Sequence, residues 1–270
     1  MSQQDIEEFY DGFSPTFLRD LAGGNPRVDA VHEFYRQAIH NEARSILVVG
    51  CGAGKDAHVL ADVIAPRAKV VAVDISENNI RMAEALFRHP RVSFRKADAT
   101  VDDLGGPFDY VVLPDVYEHI PIDRRILLHQ RLGDCTAPDG QVLLSCPTIW
   151  HQASLRAAGS GLQVVDEDVS LSDVEALARD IGGFVSLFRM VSIWRANDYF
   201  HAVVDRREGT FDLPTNHRVL VRAQAPMPWP RRVWRQLLEA SKFNSLVRRG
   251  RRRLHERKLA RAGLRVDRNG

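Results

Sequence analysis

The sequence contains no long run of apolar residues. A membrane-spanning helix needs roughly 18 or more consecutive apolar residues, and no segment of the chain approaches that length. The first residues, Ser2 to Glu8, are polar and acidic and lack the apolar core of a secretory signal. We therefore expect a cytoplasmic protein without a transmembrane segment.

Cysteine is also scarce, with three residues in a chain of 270. Cys51, Cys135 and Cys146 lie too far apart to form a metal-binding motif, and their odd number gives no complete disulfide framework. We interpret them as reduced thiols, as expected in the cytoplasm.

Charge is distributed unevenly, although the formal net charge is only +2. The segment from Pro228 to the C-terminus has 14 Lys and Arg residues against 3 Asp and Glu residues, so the rest of the chain is acidic. An acidic body is a poor match to a polyanion, which argues against nucleic acid as a partner. The basic tail could lie on an anionic membrane surface. A solvated, disordered tail is the alternative.

A glycine-rich turn near residue 50 organises the chain. The apolar run Ile46–Val49 predicts a buried strand, and it is followed by Gly50, Gly52, Gly54 and then a helix. Glycines at this spacing let the backbone turn sharply and let a ligand approach the N–H groups of the next helix. The pattern favours a nucleotide-like ligand. The alternative is a tight strand-to-helix turn, because Lys55 stands where a dinucleotide fingerprint has its third glycine.

Three further strands follow, Val70–Asp74, Val92–Arg95 and Phe108–Leu113, with helices between most of them. This alternation, at 44% hydrophobic residues, predicts one α/β core built on a parallel, doubly wound sheet. Ligands of such sheets bind at the carboxyl ends of the strands. Those ends carry Gly50, Asp74, Asp98, Pro114 and Asp115.

Taken in order, the segments VVGCGAG, VVAVD, KADA and FDYVVLPDVYEH resemble the class I S-adenosylmethionine (SAM) dependent methyltransferases. The resemblance implies a seven-stranded Rossmann-like sheet and SAM as the cofactor. It also implies cofactor contacts from Gly50, Cys51, Gly52 and Gly54 to the methionine portion, from Asp74 to the ribose, from Asp98 and Ala99 to the adenine, and from Pro114 and Asp115 near the sulfur. Ile75, next to Asp74, is a further expected cofactor contact. The chain departs from the family at Val48, where an acidic residue is common. Asp115 or backbone carbonyls could then hold the methionine amino group.

The domain organisation follows from these segments. We expect an N-terminal helical cap over residues 1–44, a SAM-binding domain over 45–225 and a basic amphipathic or disordered tail over 226–270. By resemblance, Tyr10 and Arg27 of the cap could contact the methionine end of SAM; simple packing of the cap on the sheet is the alternative. The composition of residues 149–161 predicts a mobile loop over the substrate side. A helix from Ser170 to about Ile181, two antiparallel strands (184–194 and 199–204) and an edge strand (219–222) complete the prediction.

Candidate catalytic residues follow the fourth strand. Asp115, Glu118 and His119 have the spacing i, i+3, i+4, which would place them on one face of a helical turn. Transfer of a methyl group to oxygen requires a general base or a metal to remove the proton. His119 and Glu118 are the main candidates, with His151 after the fifth strand and His201 as further ones. Three roles stay open for the pair: Mg²⁺ ligands, a base or substrate contact, or packing.

The sequence therefore predicts a SAM-dependent methyltransferase that acts on a hydroxyl group of a small molecule or sugar. Residues 165–201 are similar to methyltransferases of polysaccharide biosynthesis, and the basic tail would suit a lipid-linked glycan acceptor at the inner membrane face. The alternatives are an RNA 2′-O-methyltransferase, a nicotinamide-dependent dehydrogenase and a non-catalytic SAM-binding scaffold.

Overall fold

A seven-stranded sheet forms the centre of the protein. The computed structural model describes residues 3–12, 14–207 and 243–261. The strands are β1 (Ser45–Val49), β2 (Lys69–Asp74), β3 (Val92–Lys96), β4 (Phe108–Pro114), β5 (Thr136–Pro147), β6 (Phe184–Val191) and β7 (Tyr199–Asp205). Their order in the sheet is β3-β2-β1-β4-β5-β7-β6.

Helices cover both faces of the sheet. They are α1 (Gln3–Asp11), α2 (Ser14–Gly23), α3 (Pro26–Ala38), α4 (Lys55–Val59), α5 (Glu77–Leu86), α6 (Arg125–Cys135), α7 (Ile149–Ala158), α8 (Leu171–Asp180) and α9 (Phe243–Arg261). A π-helical turn (Leu60–Ile64) extends α4, and short 3₁₀ turns occupy Tyr117–His119 and Ile122–Arg124. None of the described helices is long and apolar enough to cross a membrane.

The strand directions create a cleft beside β1. Strands β1 to β5 run parallel, and β7 runs antiparallel to both β5 and β6. The chain leaves β1 for β2 on one side and later returns to β4 on the other, so the strand order reverses at β1. Ligands of open α/β sheets bind at this switch point, outside the carboxyl ends of the strands. The expected seven-stranded Rossmann-like fold is confirmed.

Two apolar cores flank the sheet. On β1, Leu47 and Val49 belong to the core that contains α6 and α8, whereas Ile46 and Val48 belong to the core that contains α3 and α4. A strand buried on both faces needs apolar residues at every position, which explains the unbroken run in the sequence.

Capping side chains fix the starts of several helices. Asn25 Oδ1 accepts a hydrogen bond from the backbone N–H of Arg27 at 3.0 Å, which caps α3 where it begins at Pro26. The Asp173 carboxylate accepts from the backbone N–H of Ser170 at 2.8 Å, which completes a capping box at the start of α8. Both caps satisfy backbone donors that would otherwise be unpaired.

The prediction of a loop over residues 149–161 is wrong. Most of this segment is α7, which begins after the N-cap Thr148 and ends at Gly159 in a left-handed conformation. A hydroxyl cap and a C-terminal glycine define a helix as clearly as hydrophobic periodicity does. The predicted strand at 219–222 and the predicted apolar side of residues 233–241 lie outside the described residues. The domain boundaries remain a prediction.

Candidate functional site

A cleft opens above the carboxyl ends of β1, β2, β3 and β4. The cap helices α1 and α2 and the start of α3 cover it from above. Nine of the ten cofactor-binding residues expected from the sequence line this cleft: Gly50, Cys51, Gly52, Asp74, Ile75, Asp98, Ala99, Pro114 and Asp115. The topology therefore brings together side chains from four separate strands.

The glycine turn leaves no room for side chains. Gly50 and Gly52 have φ values of 70° and 49°, which L side chains rarely adopt. A Cβ atom on Gly50 would lie 2.3 Å from Val116 Cγ2, and one on Gly52 would lie 2.8 Å from the Phe17 ring. Gly54, the tenth expected residue, does not line the cleft. Its Cβ would lie 2.7 Å from Ala83 Cβ, so this glycine lets the turn before α4 pack closely on α5.

Asp74 is held rigidly at the end of β2. Its Oδ2 accepts from the backbone N–H of Gly52 at 2.8 Å, and its Oδ1 accepts from Ser76 N at 3.0 Å and Asn79 Nδ2 at 3.1 Å. Burial raises the pKa of Asp74, and these three hydrogen bonds oppose that rise. A carboxylate offers about four acceptor positions, so about one remains for a ligand hydroxyl.

Asp98 is fixed just beyond the end of β3, the strand next to β2. Its Oδ1 accepts from the backbone N–H of Thr100 at 2.9 Å and from the Thr100 hydroxyl at 2.8 Å. Arg124 Nη2 donates to Asp98 Oδ2 at 3.2 Å, and Arg124 also lines the cleft. Nothing in the sequence singled out Arg124, because its contact with Asp98 spans 26 positions.

Arg27 and Asp115 form an ion pair between the cap and the end of β4. Burial lowers the pKa of Arg27, but the Asp115 carboxylate outweighs burial and raises it. Asp115 has a positive φ of 53° and donates its backbone N–H to Ser145 O at 2.8 Å. The cap therefore reaches the cleft, as expected for Arg27 and Tyr10, which both line it.

The expectation that Asp115, Glu118 and His119 share one helical face is wrong. The backbone at Asp115 is left-handed, and only Tyr117–His119 form a short 3₁₀ turn. His119 lines the cleft, whereas Glu118 is 1% exposed and lies outside the lining. The positive φ breaks the helical spacing on which the sequence argument depended.

Glu118 and His119 nevertheless form an electrostatically coupled pair. His119 Nδ1 lies 2.7 Å from Val165 O and 3.3 Å from Asp166 Oδ1, and Nε2 lies 3.9 Å from Glu118 Oε1. Burial raises the pKa of Glu118 to about 7. Burial lowers the pKa of His119, but Glu118 and Asp166 outweigh it and raise the pKa to about 9. The pair can therefore change its protonation near neutral pH.

Comparison with known proteins identifies the domain. Residues 46–140 match the family model described as "Methyltransferase domain". Residues 46–140 therefore carry a SAM-dependent methyltransferase domain. Among curated proteins, none matches the chain. The residues of the cleft fit the adenosyl group, because Asp74 keeps about one free acceptor position and lines the same cleft as the glycine turn.

Several solved structures share the fold of this methyltransferase. Magnesium protoporphyrin IX methyltransferase from Synechocystis, with bound S-adenosylhomocysteine (SAH), is 23% identical with a TM-score of 0.54 over 76% of this chain and 87% of that chain. The N-methyltransferase NodS from Bradyrhizobium japonicum, in complex with SAH, is 18% identical with a TM-score of 0.59 over 76% and 98%. A SAM-dependent methyltransferase from Anabaena variabilis is 15% identical with a TM-score of 0.61 over 77% and 96%. At these low identities, the TM-scores show that the fold is shared and nothing more specific.

The methyltransferase has a carboxylate in its cleft that sequence analysis missed. Asp56, in the first turn of α4, lines the cleft, and its Oδ1 lies 2.6 Å from His32 Nε2. Burial raises the pKa of Asp56, but the hydrogen bond and charge of His32 outweigh it and lower the pKa. Val48 is completely buried in β1 and cannot reach the cleft. The only sequence signal for Asp56 was its position two residues after the last glycine.

Two further histidines of the methyltransferase lie away from the cleft lining. His151 is on α7, with ring centroids 6.1 Å from Trp194 and 5.7 Å from Tyr199. His201 stacks on Phe34 at 4.5 Å, and burial lowers its pKa to about 4. His201 therefore has a packing role. The expected catalytic role of His151 remains a prediction without a direct contact to the cleft.

Within the described residues, no three His, Cys, Asp or Glu side chains are placed to hold a metal ion. Asp115, the third member of the expected set, is paired with Arg27. We therefore assign no Mg²⁺ ligands.

Proposed function

We propose that this methyltransferase transfers the methyl group of SAM to a hydroxyl group of a small molecule or sugar. The observation that carries the proposal is a single cleft that is lined both by the residues expected to bind the adenosyl group and by His119, with Glu118 directly beside His119. An oxygen nucleophile must lose its proton during transfer, so a buried proton-accepting pair at the cleft suits this reaction.

The cofactor side of the cleft would act through positioning. Bound SAM would supply a methyl group on a positively charged sulfur. The backbone of Gly50 and Gly52, together with Asp74, would orient the adenosyl and methionine portions. Asp56, kept ionised beside His32, would receive the methionine amino group in place of an acid at position 48. Alignment of reactants can lower a barrier by up to roughly 7–11 kcal/mol, so rigid partners such as these supply much of the acceleration.

The proton of the acceptor hydroxyl would pass to the Glu118–His119 pair. His119 faces the cleft, and its Nδ1 is fixed by the Val165 carbonyl. Glu118 Oε2 is buried and has no hydrogen-bond partner among the described residues. A pKa of about 7 lets Glu118 gain or lose a proton near neutral pH. We therefore assign the net uptake of the proton to Glu118, with His119 as the group that contacts the acceptor.

The direct test is a transfer assay with isotopically labelled SAM. The acceptor panel would contain small alcohols, sugar nucleotides, lipid-linked glycans and the matching amines, and mass spectrometry would locate the added methyl group. We expect an O-methylated product. If only N-methylated products form, the acceptor is an amine and the proposed hydroxyl acceptor is wrong.

Variants of the pair separate chemistry from cofactor binding. Glu118→Gln and His119→Asn should lower kcat by roughly 10²–10⁴, the usual contribution of general acid–base catalysis, while the Kd for SAH stays unchanged. Gln163→Asn is a matched control, since Gln163 also lines the cleft but holds no titratable proton. If both variants keep full activity, the pair has no role in proton removal.

The location of the enzyme forms a separate part of the proposal. Helix α9 presents exposed basic residues at Arg253, Arg257, Lys258 and Arg261. We propose a cytoplasmic enzyme that contacts the inner membrane face through this helix, where a glycan of polysaccharide biosynthesis could serve as acceptor. Sedimentation with vesicles tests the contact: phosphatidylserine vesicles should retain the protein at low salt, and phosphatidylcholine vesicles should not. If a chain that ends at Lys242 sediments with phosphatidylserine vesicles as well as the full chain does, the proposed membrane contact through α9 is wrong.

A further inference from the structure

Leu259 is an unusual residue on the C-terminal helix. Most described side chains of α9 are exposed, including Leu254 at 55%, but Leu259 is only 1% exposed. A basic helix that serves only as a solvated tail would not bury one leucine completely. The burial of Leu259 shows that α9 docks on the body of the protein.

The apolar cluster around Leu259 includes part of the cofactor turn. Its buried members are Ala53, Met82, Leu86 and Leu259. Ala53 lies within the glycine turn itself and lines the cleft, while Met82 and Leu86 belong to α5. Leu259 therefore belongs to the same apolar cluster as a residue of the loop that would hold the methionine portion of SAM.

The same cluster includes the roof of the cleft. Phe17 and Leu21 of α2 pack against it, and both also line the cleft. Phe17 lies directly on the glycine turn, because its ring is 2.8 Å from the position of a Cβ on Gly52. Among the described elements, α2 makes its most extensive contact with α9. Helix α9 therefore packs directly on the helix that forms the roof of the cleft.

Two polar or aromatic contacts orient α9 on the end of α5. Lys258 Nζ donates to the carbonyl of Leu86 at 3.4 Å. The His255 ring centroid lies 6.5 Å from that of Phe87, the residue that ends α5. Since α5 follows the Asp74 and Ser76 turn, this attachment joins the C-terminal helix to the ribose side of the cleft as well.

We propose that α9 is a structural part of the cofactor site and that Leu259 is its positioning residue. Leu259 holds Ala53, Phe17 and Leu21 in the arrangement that closes the cleft over SAM. Loss of the helix leaves the sheet and the catalytic pair intact but lets the roof move away from the glycine turn. The inference rests on the proposed binding of SAM. It extends the cofactor site to a segment that is distant from the glycine turn in the sequence.

Calorimetric titration with SAH tests this inference. The full chain, Leu259→Ala and a chain that ends at Lys242 would be compared, with Leu254→Ala as the matched control on the exposed side of α9. We expect at least tenfold weaker binding for Leu259→Ala and for the shortened chain, and unchanged binding for Leu254→Ala. Affinities within twofold of the full chain for both altered proteins would overturn the inference.

A second measurement separates positioning from general stability. Binding free energies are reciprocal, so a helix that strengthens SAH binding must itself be stabilised by SAH. Amide hydrogen exchange in residues 250–261 of the full chain should slow when SAH is bound, and Leu259→Met should restore most of the affinity lost in Leu259→Ala. Exchange that SAH does not change would contradict the inference even if Leu259→Ala failed to fold. A full chain that binds no SAH would overturn the cofactor assignment itself.

Discussion

Asp74 is fixed by three hydrogen bonds before any ligand is considered. The resemblance to methyltransferases implied a contact from this carboxylate to the ribose of SAM. The structure leaves about one acceptor position free, because Gly52, Ser76 and Asn79 occupy the others. Asp74 is therefore as much an organiser of the glycine turn as a ligand contact.

Asp74→Ala should weaken SAM binding by roughly 1–3 kcal/mol, the cost of losing a hydrogen bond to a charged group and of leaving its buried donors unpaired. Calorimetric titration measures the effect. Asp74→Asn is the comparison, since its amide oxygen can still accept from Gly52 and should retain more affinity than alanine. Unchanged affinity in both variants would place the ribose elsewhere.

Glu118 should control the pH dependence of the reaction. A base must be ionised to accept a proton, and burial raises the pKa of Glu118 to about 7. We therefore expect kcat to rise with pH through about 7 and to level off above it, provided that methyl transfer limits the rate. A rise centred near 9 instead would assign the proton to His119, whose pKa is raised to about 9. Rate measurements from pH 5.5 to 10 distinguish the two.

At the scale of elements, the glycine turn determines how closely the start of α4 can approach α5. Gly54 ends the turn in a left-handed conformation with φ of 87°, and a Cβ there would press against Ala83 and the Phe94 ring. The turn before α4 can pack this closely on α5 and β3 only because position 54 has no side chain. The third glycine of the motif thus serves packing, and the first two serve the cleft.

Gly54→Ala should destabilise the protein by roughly 2–5 kcal/mol, from about 1–2 kcal/mol for the left-handed backbone and about 1–3 kcal/mol for overpacking. Urea unfolding followed by circular dichroism measures the change. Gly182→Ala isolates the backbone contribution, since Gly182 has φ of 72° and nothing within 4 Å of its Cβ position. If both variants lose the same free energy of unfolding, the close contact of position 54 with α5 makes no contribution to the destabilisation.

At the scale of the whole molecule, the buried ring of His201 links folding to pH. It stacks on Phe34 between the sheet and α3, and its pKa falls to about 4 because burial disfavours the charged form. The unfolded chain binds the proton more readily, at a pKa of about 6.5. The stability that neutral His201 contributes is therefore complete above pH 6.5 and is lost as the pH falls toward 4.

Between pH 7 and pH 5 this group should cost the wild-type protein roughly 2 kcal/mol of unfolding free energy. His201→Phe keeps the aromatic stack but cannot take up a proton, so its stability should fall less over the same interval. Denaturant unfolding at both pH values measures the stability loss of each protein. When the loss of His201→Phe is subtracted from that of the wild type, the contributions of all other titrating groups cancel. Identical losses in the two proteins would show that His201 does not titrate in this range.

The sequence already determined much of the cofactor side. Apolar runs that precede Gly50, Asp74 and Pro114 predicted β1, β2 and β4, because hydrophobicity and glycine spacing are properties of short segments. It missed α7, whose signals are a threonine cap and a terminal glycine. It also could not find Asp56 beside His32, since that pair is defined by distance in space.

By itself, the amino-acid sequence determined the parallel sheet, the glycine turn and the resemblance to methyltransferases, because these depend on periodicity and short-range spacing. Only the tertiary structure decided that Arg27 pairs with Asp115, that Glu118 and His119 share a raised proton affinity, and that the C-terminal helix packs on the cofactor turn through Leu259. Each of these depends on burial or on contacts between distant segments. Burial and contact are properties of the folded chain, and no local pattern encodes them.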